Sequence, residues 1–457
     1  MQQNKRYTPI ADFVKKYEKS GTSRFHMPGH KGKSFLGCEA YDITEICGAD
    51  SLYEADGIIA ESEKIASELF GSGATFYSTE GSSQCIRAML YLALIQMKDR
   101  SDTKRIHPVI VAARNVHKAF IYAATLLDFD VVWLWPEDAM ESLCSCHITP
   151  ETLEMTLREL QNDSVNVAAV YITSPDYLGG LADIQSVANV CHEHDTLLLV
   201  DNAHGAYLHF LDKPRHPLDL GADMCCDSAH KTFPVLTGGA YLHISKNMSM
   251  DLIRQAKHAL CMFGSTSPSY LIMSSLDLCN AYLQDSYKER LKERCKELDI
   301  VRGKLMKLGW QIEKTDPLRI TMRMPKRLSG QQMADKLRDH GIECEYADDE
   351  FLVLMITPEN SKEDFDRLID AVGKNAYPYL LVEVLPMAKT EQKMAIREAM
   401  FSASETVTVS EAYGRICRTP TVSCPPAIPI AVPGELIKKN AIDLFRHYGI
   451  DRVDVVK

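Results

Sequence analysis

A chain of 457 residues with 46% apolar and 25% charged side chains can bury more than one core, which excludes a disordered protein. Its formal charge of −11 argues against a nucleic-acid or anionic-membrane partner and leaves room for a cationic substrate. No run of about 18 apolar residues offers a membrane span, no apolar signal core opens the chain, and the fourteen cysteines show neither a Cys-x-x-Cys pair nor regular spacing; free thiols in a reducing cytoplasm are expected, and no metal.

Taken in order, Pro9 to Ser20 places Ile10, Phe13, Val14 and Tyr17 at helical spacing with lysines outward. Arg24 to Lys33 is broken by Pro28, Gly29 and Gly32, and carries His26, His30 and Lys31 among turn formers: an anion or substrate contact, or a basic surface loop. Asp50 to Phe70 reads as a helix. Phe76 to Gln84 then sets Gly81, Ser82 and Ser83 ahead of a helical pattern, where hydroxyls, free N–H groups and the helix dipole favour an anion such as phosphate. Strand, helix and strand follow at Val109–Ala113, Val116–Leu127 and Val131–Trp135, with His117 at the first junction, placed either to cap the helix or to stack on a flat ring.

Thr149 and Pro150 cap a helix running to Leu160. Val165–Ile172 is the next strand, Ile184–His194 a helix, Leu197–Val200 a strand, Met224–Cys226 another, and Gly239–Ile244 a further one. Such alternation predicts an α/β fold with a mostly parallel sheet and helices on both faces. Two strands end in chemistry. The run to Val200 stops at Asp201, followed by Asn202, Ala203 and His204, which sets a carboxylate at the edge where such sheets bind ligands. The run to Cys226 leads into Asp227, Ser228, Ala229, His230, Lys231 and Thr232, where a partly desolvated amine becomes a nucleophile toward carbonyls. An acid for a pyridinium nitrogen, a lysine for covalent attachment and a phosphate cradle are what pyridoxal 5′-phosphate asks of a protein.

Residues 257–283 read as a helix interrupted at Gly264–Ser269, where Ser265, Thr266 and Ser267 either cap a helix or grip phosphate. Asp285–Leu308 is a charged helix ended by Gly309. Strands at Trp310–Glu313 and Leu318–Met322, a helix at Gln331–His340, a hairpin of Glu343–Tyr346 with Phe351–Ile356 and a helix at Lys362–Val372 form a smaller α/β unit. Beyond Tyr377 come a strand at Leu380–Leu385, a helix at Glu391–Phe401 and a stretch, Thr419–Pro433, with five prolines, read as a rigid ordered loop.

These segments resemble the Orn/Lys/Arg decarboxylase family. The likeness rests on Phe25–Lys31, Asp42–Glu45, Arg114–Lys118, Val200–Gly205, Ser228–Thr232, Ser265–Tyr270, Pro425–Pro429 and Val432–Glu435, so it covers the chain from about residue 7 onward. It implies a pyridoxal-phosphate enzyme of the aspartate-aminotransferase fold, type I, that removes the carboxylate of arginine, lysine or ornithine. Four parts are expected: an N-terminal helix and active-site segment (1–35), the large cofactor domain (36–283), a small α/β domain (284–375) and a C-terminal decarboxylase domain (376–457). There is no room ahead of Phe25 for the receiver-like domain of long family members, which puts their ring-shaped assemblies in doubt. The resemblance also implies a homodimer or higher oligomer with sites at the subunit interface, Thr266 and Ser267 reaching the neighbour's cofactor phosphate, and the proline-rich loop lying over the site entrance.

The expected roles follow. Lys231 attaches the cofactor, Asp201 keeps its ring nitrogen protonated, His117 stacks on the ring, and Ala203 leaves the other face room to pack. Gly81, Ser82, Ser83, Ser228 and His230 anchor phosphate, and Lys231 or a histidine such as His204 reprotonates Cα. His26, His30 and Lys31 position the substrate, whose distal charge meets Asp176, Glu345, Asp348 or Glu435. An aminotransferase or lyase of the same fold is the alternative, against which stands the absence of arginine from Glu343 to Pro358. A cofactor-sensing regulator would need a DNA-binding segment, and no basic helical region is appended.

Overall fold

The computed structural model describes residues 7–100, 107–136, 142–375, 385, 387, 389–422 and 427–457. In chain order the elements are α1 (Pro9–Lys19), α2 (Ile58–Leu69), β1 (Ala74–Ser78), α3 (Ser82–Arg100), β2 (Val109–Ala113), α4 (Lys118–Leu127), β3 (Asp130–Leu134) and α5 (Pro150–Asn162). Next come β4 (Val167–Thr173), α6 (Ile184–Glu193), β5 (Leu197–Asp201), β6 (Met224–Asp227), α7 (Ala229–Thr232), β7 (Ala240–Ile244), α8 (Met250–Met262), α9 (Tyr270–Gln284) and α10 (Tyr287–Lys307). The rest are β8 (Gln311–Ile312), β9 (Arg319–Arg323), α11 (Gly330–Asp339), β10 (Tyr346–Ala347), β11 (Phe351–Met355), α12 (Lys362–Val372), α13 (Ile396–Phe401), β12 (Ser404–Thr408), β13 (Thr421–Val422), β14 (Pro429–Ala431), α14 (Lys439–His447) and β15 (Arg452–Val456).

A seven-stranded sheet has the order β1-β7-β6-β5-β4-β2-β3. β5 runs parallel to β6 and β2 to β3, while β7 runs antiparallel to both of its neighbours, β1 and β6. The α/β, mostly parallel architecture expected from the alternation is therefore present. Every residue of β5, β6 and β7 is buried, which is why β5 and β6 read as continuously apolar up to their last residues, Asp201 and Asp227.

The chain forms two compact units. The first takes Met1–Arg105, Ala168–Val170 and Ile184–Glu289. Its α1 starts at Pro9 with Ile10 and Val14 buried, and the Ala11 N–H at the helix start donates to buried Asp277 at 2.9 Å. The helix expected from Asp50 begins only at Ile58. Asp50 sits at φ 70° and its Oδ2 accepts from the N–H groups of Gly57 and Ile59, both at 2.9 Å, so this one carboxylate satisfies the donors of a helix start eight residues downstream.

The second unit takes Ile106–Val167, Tyr171–Asp183 and Arg290–Lys457. Thr149 caps α5 as its sequence predicts, its hydroxyl accepting from Thr152 N–H. Ser329 with Gln332 and Ser361 with Asp364 form capping boxes on α11 and α12. The hairpin expected around Asp348 is β10–β11, in a four-stranded antiparallel sheet ordered β10-β11-β9-β8. The helix expected from Glu391 is shorter, because Lys393 N–H donates to Gly434 O and Leu436 N–H to Glu391 O, which holds that segment extended until Ile396. The β12–β15 pair has no counterpart in the sequence reading. The strand expected at Leu380–Leu385 and the middle of the proline-rich stretch, residues 423–426, lie outside the described residues.

Candidate active site

Within the first unit, the sequence-predicted residues gather where β5 and β6 end. Asp201 is the last residue of β5, buried, and pairs in register with Cys226 on β6. Its Oδ1 accepts from Ala203 N–H at 3.2 Å, and the Cys226 thiol lies 3.7 Å away. Burial and that carboxylate push the Cys226 thiol far above its ordinary value, and burial pushes Cys85 up to about 12, so both are inert thiols. The thirteen described cysteines are all free.

Just past β6, the single turn α7 carries Lys231, half-buried, with Nζ 2.9 Å from His204 Nε2. An amine and an imidazole at that separation are within hydrogen-bond reach of each other. Ser228 donates its hydroxyl to Ser82 Oγ at 3.0 Å, which joins the α7 turn to the first residue of the 19-residue α3. Gly81, immediately before it, has φ +71°, and the space where a Cβ would stand is open. That backbone favours glycine and exposes the helix start. Ser83 is the second residue of α3.

Four further predicted residues have the following settings. His230 is tied to the backbone, Nδ1 donating to Gly239 O at 2.9 Å. Thr266 and Ser267 are exposed in the α8–α9 loop, and the cap of α9 is Ser269, which accepts from Ile272 N–H. His117 belongs to the second unit, where its Nδ1 accepts from Ala119 N–H at 3.1 Å and caps α4. In the N-terminal segment His26 Nε2 meets Tyr17 Oη at 2.6 Å, His30 Nε2 meets Asp42 at 3.2 Å, and Lys31 donates to His26 O.

Of the acids considered for a distal charge, three already hold internal partners in the second unit. Glu435 is fully buried against Arg114 at 3.2 Å. Asp176 accepts from Ser145 Oγ and Gly180 N–H, both at 2.8 Å. Asp348 closes its hairpin turn. Glu345 alone is exposed, accepting from the half-buried Tyr177 hydroxyl at 3.3 Å.

Two stretches of sequence are matched by family profiles: residues 8–324 by the one described as "Orn/Lys/Arg decarboxylase, major domain", and residues 377–449 by that of its C-terminal domain. The chain belongs to the Orn/Lys/Arg decarboxylase family. It is an amino-acid decarboxylase. The arginine decarboxylase of Bacillus subtilis (strain 168) is 29% identical over 468 residues, covering 95% of this chain and 92% of that protein. That of Halalkalibacterium halodurans is 26% identical, covering 96% and 93%. Among solved structures, the Francisella novicida lysine decarboxylase LdcF superposes with TM-score 0.79 at 17% identity, covering 98% of this chain and 81% of that one. The Escherichia coli constitutive lysine decarboxylase gives 0.77 at 18%, covering 99% and 82%. These structural likenesses establish the fold.

In this decarboxylase the β5–β6 edge fits a pyridoxal phosphate. Two buried hydroxyls, Thr79 Oγ1 directly after β1 and just ahead of Gly81, and Thr232 Oγ1 next to Lys231, have no partner among the described residues and offer hydrogen bonds to an anionic group. The sequence reading gave no role to Asp227 or to the residues it binds, His216, His243 and Asn202. The signal was an aspartate within a fully buried strand, which demands partners. No helix among the described residues is long and apolar enough to cross a membrane.

Proposed function

We propose that the chain decarboxylates a basic L-amino acid with pyridoxal 5′-phosphate, and that L-arginine, for which several relatives spanning nearly the whole chain are named, is the first of arginine, lysine and ornithine to assay. The observation that carries this reading is the placement of Asp201 at the end of β5, in register with Cys226 near the end of the adjoining β6, and of Lys231 in the turn just beyond β6, in contact with His204. When bound, the cofactor supplies an electron sink for the bond to the departing carboxylate. Lys231 is the residue that would attach it. Asp201 would keep its ring nitrogen protonated, and buried as it is, with one backbone N–H on its carboxylate, it would stay aligned for that task.

The start of α3 with Gly81, Ser82 and Ser83, joined to Ser228, would hold the phosphate. His230, fixed through Nδ1, would add its other ring nitrogen, and Ala203 would leave one ring face free to pack. His117 would stack on the other face, and Thr266 and Ser267 would complete a second subunit's site in a homodimer. The contact between Lys231 Nζ and His204 Nε2 provides a proton store for Cα. We assign the protein to the cytoplasm and its product to polyamine formation, and the four-part division at residues 35, 283 and 375 as its domain plan. The rival, an aminotransferase or lyase, lacks a supporting observation. Purified protein with added pyridoxal phosphate, given each of the three amino acids, should release CO2 and the matching amine in equal amounts, and Lys231→Ala should lose turnover and the cofactor's visible absorbance together. Keto acid without CO2 would refute the reading.

A further inference from the structure

Asp227 is a buried charge to which the proposed reaction gives no task. Its Oδ2 lies 3.0 Å from His216 Nε2 and 3.0 Å from His243 Nε2, and its Oδ1 accepts from Asn202 Nδ2 at 2.6 Å. All four residues are fully buried. The tautomers follow from the surrounding donors. Leu218 N–H donates to His216 Nδ1 at 3.4 Å, so that ring carries its proton on Nε2. His243 Nδ1 faces the Thr75 hydroxyl at 2.8 Å, which leaves its Nε2 as the donor to Asp227. Burial pushes His243 down more than the carboxylate lifts it, so it is neutral. Burial by itself would push Asp227 up, yet the two imidazoles against it hold it well below the usual carboxylate range. Two imidazoles and one amide thus give a single carboxylate three N–H donors. A metal at this cluster would need the ring lone pairs that those protons occupy.

The cluster ties together the two strand ends that carry the candidate chemistry. Asn202 follows Asp201 directly, and its backbone N–H donates to Cys226 O at 3.0 Å. Asp227 precedes Ser228 and the turn with Lys231. The Asn202 Oδ1 atom is buried without a partner among the described residues, so the amide's orientation is dictated by its one bond to Asp227. We propose that Asp227 is a positioning residue: a strut that, through Asn202, holds Asp201 at a fixed depth against the turn bearing Lys231. The inference rests on the reading of those two residues as the cofactor's contacts.

Asn202→Ala cuts the strut while leaving Asp227 with both imidazoles, and Asp227→Asn discharges it. Each is measured for thermal midpoint without cofactor, for pyridoxal phosphate affinity by equilibrium dialysis, for the pH midpoint of the bound cofactor's visible absorbance, and for kcat and KM on the amino acid that wild type turns over. Asn202→Ala should fold as wild type does, bind the cofactor about tenfold more weakly and lose about tenfold in kcat with KM held, because geometry at the ring and not substrate affinity is disturbed. The absorbance midpoint should shift as well, which a purely structural role would not produce. Asp227→Asn should shift these readouts in the same direction. Wild type that takes up cofactor while Asn202→Ala matches it in affinity, midpoint and kcat overturns the inference alone. Stoichiometric metal in wild type, removed by a chelator together with cofactor affinity, also overturns it. Wild type that takes up no pyridoxal phosphate overturns the functional reading, and the inference with it.

Discussion

Asp227, in the sheet of the first unit, and Asp348, in the hairpin of the second, are both buried aspartates, yet their surroundings drive them in opposite directions. Asp227 receives three N–H donors and faces no second carboxylate in its cluster, so it stays ionised. Asp348 accepts from Glu350 N–H at 2.9 Å, Phe351 N–H at 2.6 Å and the Tyr346 hydroxyl at 2.7 Å, but Glu350 is buried beside it. Burial first, and the Glu350 charge second, push Asp348 up to about 6. Three hydrogen bonds are common to both. What separates them is the company: imidazoles on one side, a second acid on the other. A buried carboxylate is therefore an anchor or a titrating group according to its neighbours, and burial alone does not say which.

The comparison breaks most visibly if Asp227 is removed. Asp227→Ala leaves two buried imidazole N–H groups and the Asn202 amide without their acceptor, and a loss of about 3–5 kcal/mol in urea denaturation is expected. A loss below about 1 kcal/mol would mean that the carboxylate is not what holds these donors.

The sequence revealed one side of this contrast better than the other. The positions of Lys231 and Asp201 at strand ends were legible because each follows an apolar run that ends abruptly, a local signal that needs no knowledge of the fold. The role of Asp227 was not, although it stands four residues before Lys231, because its partners come from separate elements: His243 lies on β7, whose register with β6 sets Cys225 opposite it, and His216 lies in the preceding loop. Such contacts exist only once strands are paired. The β12–β15 pair was missed for the same reason, since the segments are polar and far apart in the chain. The hairpin around Asp348 was legible from its turn residues, but the burial of its charge depends on α14 and the loop carrying Cys144, which no local pattern reports. His117 shows the limit of a local reading that keeps two options: the cap is present, and stacking remains a proposal.

Asp348→Asn sharpens the contrast by removing the titration while keeping a similar shape. In the folded protein this carboxyl holds its proton up to about 6, whereas an unfolded aspartate releases it near 3.9. Between those values the folded state binds more protons, so stability falls as pH rises through that window, by on the order of 2–3 kcal/mol. The variant should lack that decline. Urea midpoints compared at about pH 4.5 and 7 read it out, and equal slopes for the two proteins would show that Asp348 is ionised on folding like any surface acid.

The smallest effect belongs to His447, on α14, whose Nε2 lies 3.2 Å from Glu350 and whose Nδ1 lies 3.6 Å from Asp349. The hydrogen bond to Glu350 raises its pKa, partial burial opposes the rise, and the Glu350 and Asp349 charges add to it. A histidine raised in the folded state contributes stability that is complete below its unfolded value and is lost as pH climbs through the folded one. His447→Gln should therefore cost about 1 kcal/mol or less near pH 6 and nothing near pH 9, the modest size reflecting solvent at the pair. The two groups lose stability in succession, Asp348 in the acidic range and His447 above it, while Asp227 is silent throughout because it titrates below both. Since Glu350 is the neighbour common to both, its replacement by Gln should lower the pKa of Asp348 and of His447 together, and a variant that moved one without the other would show that they titrate independently.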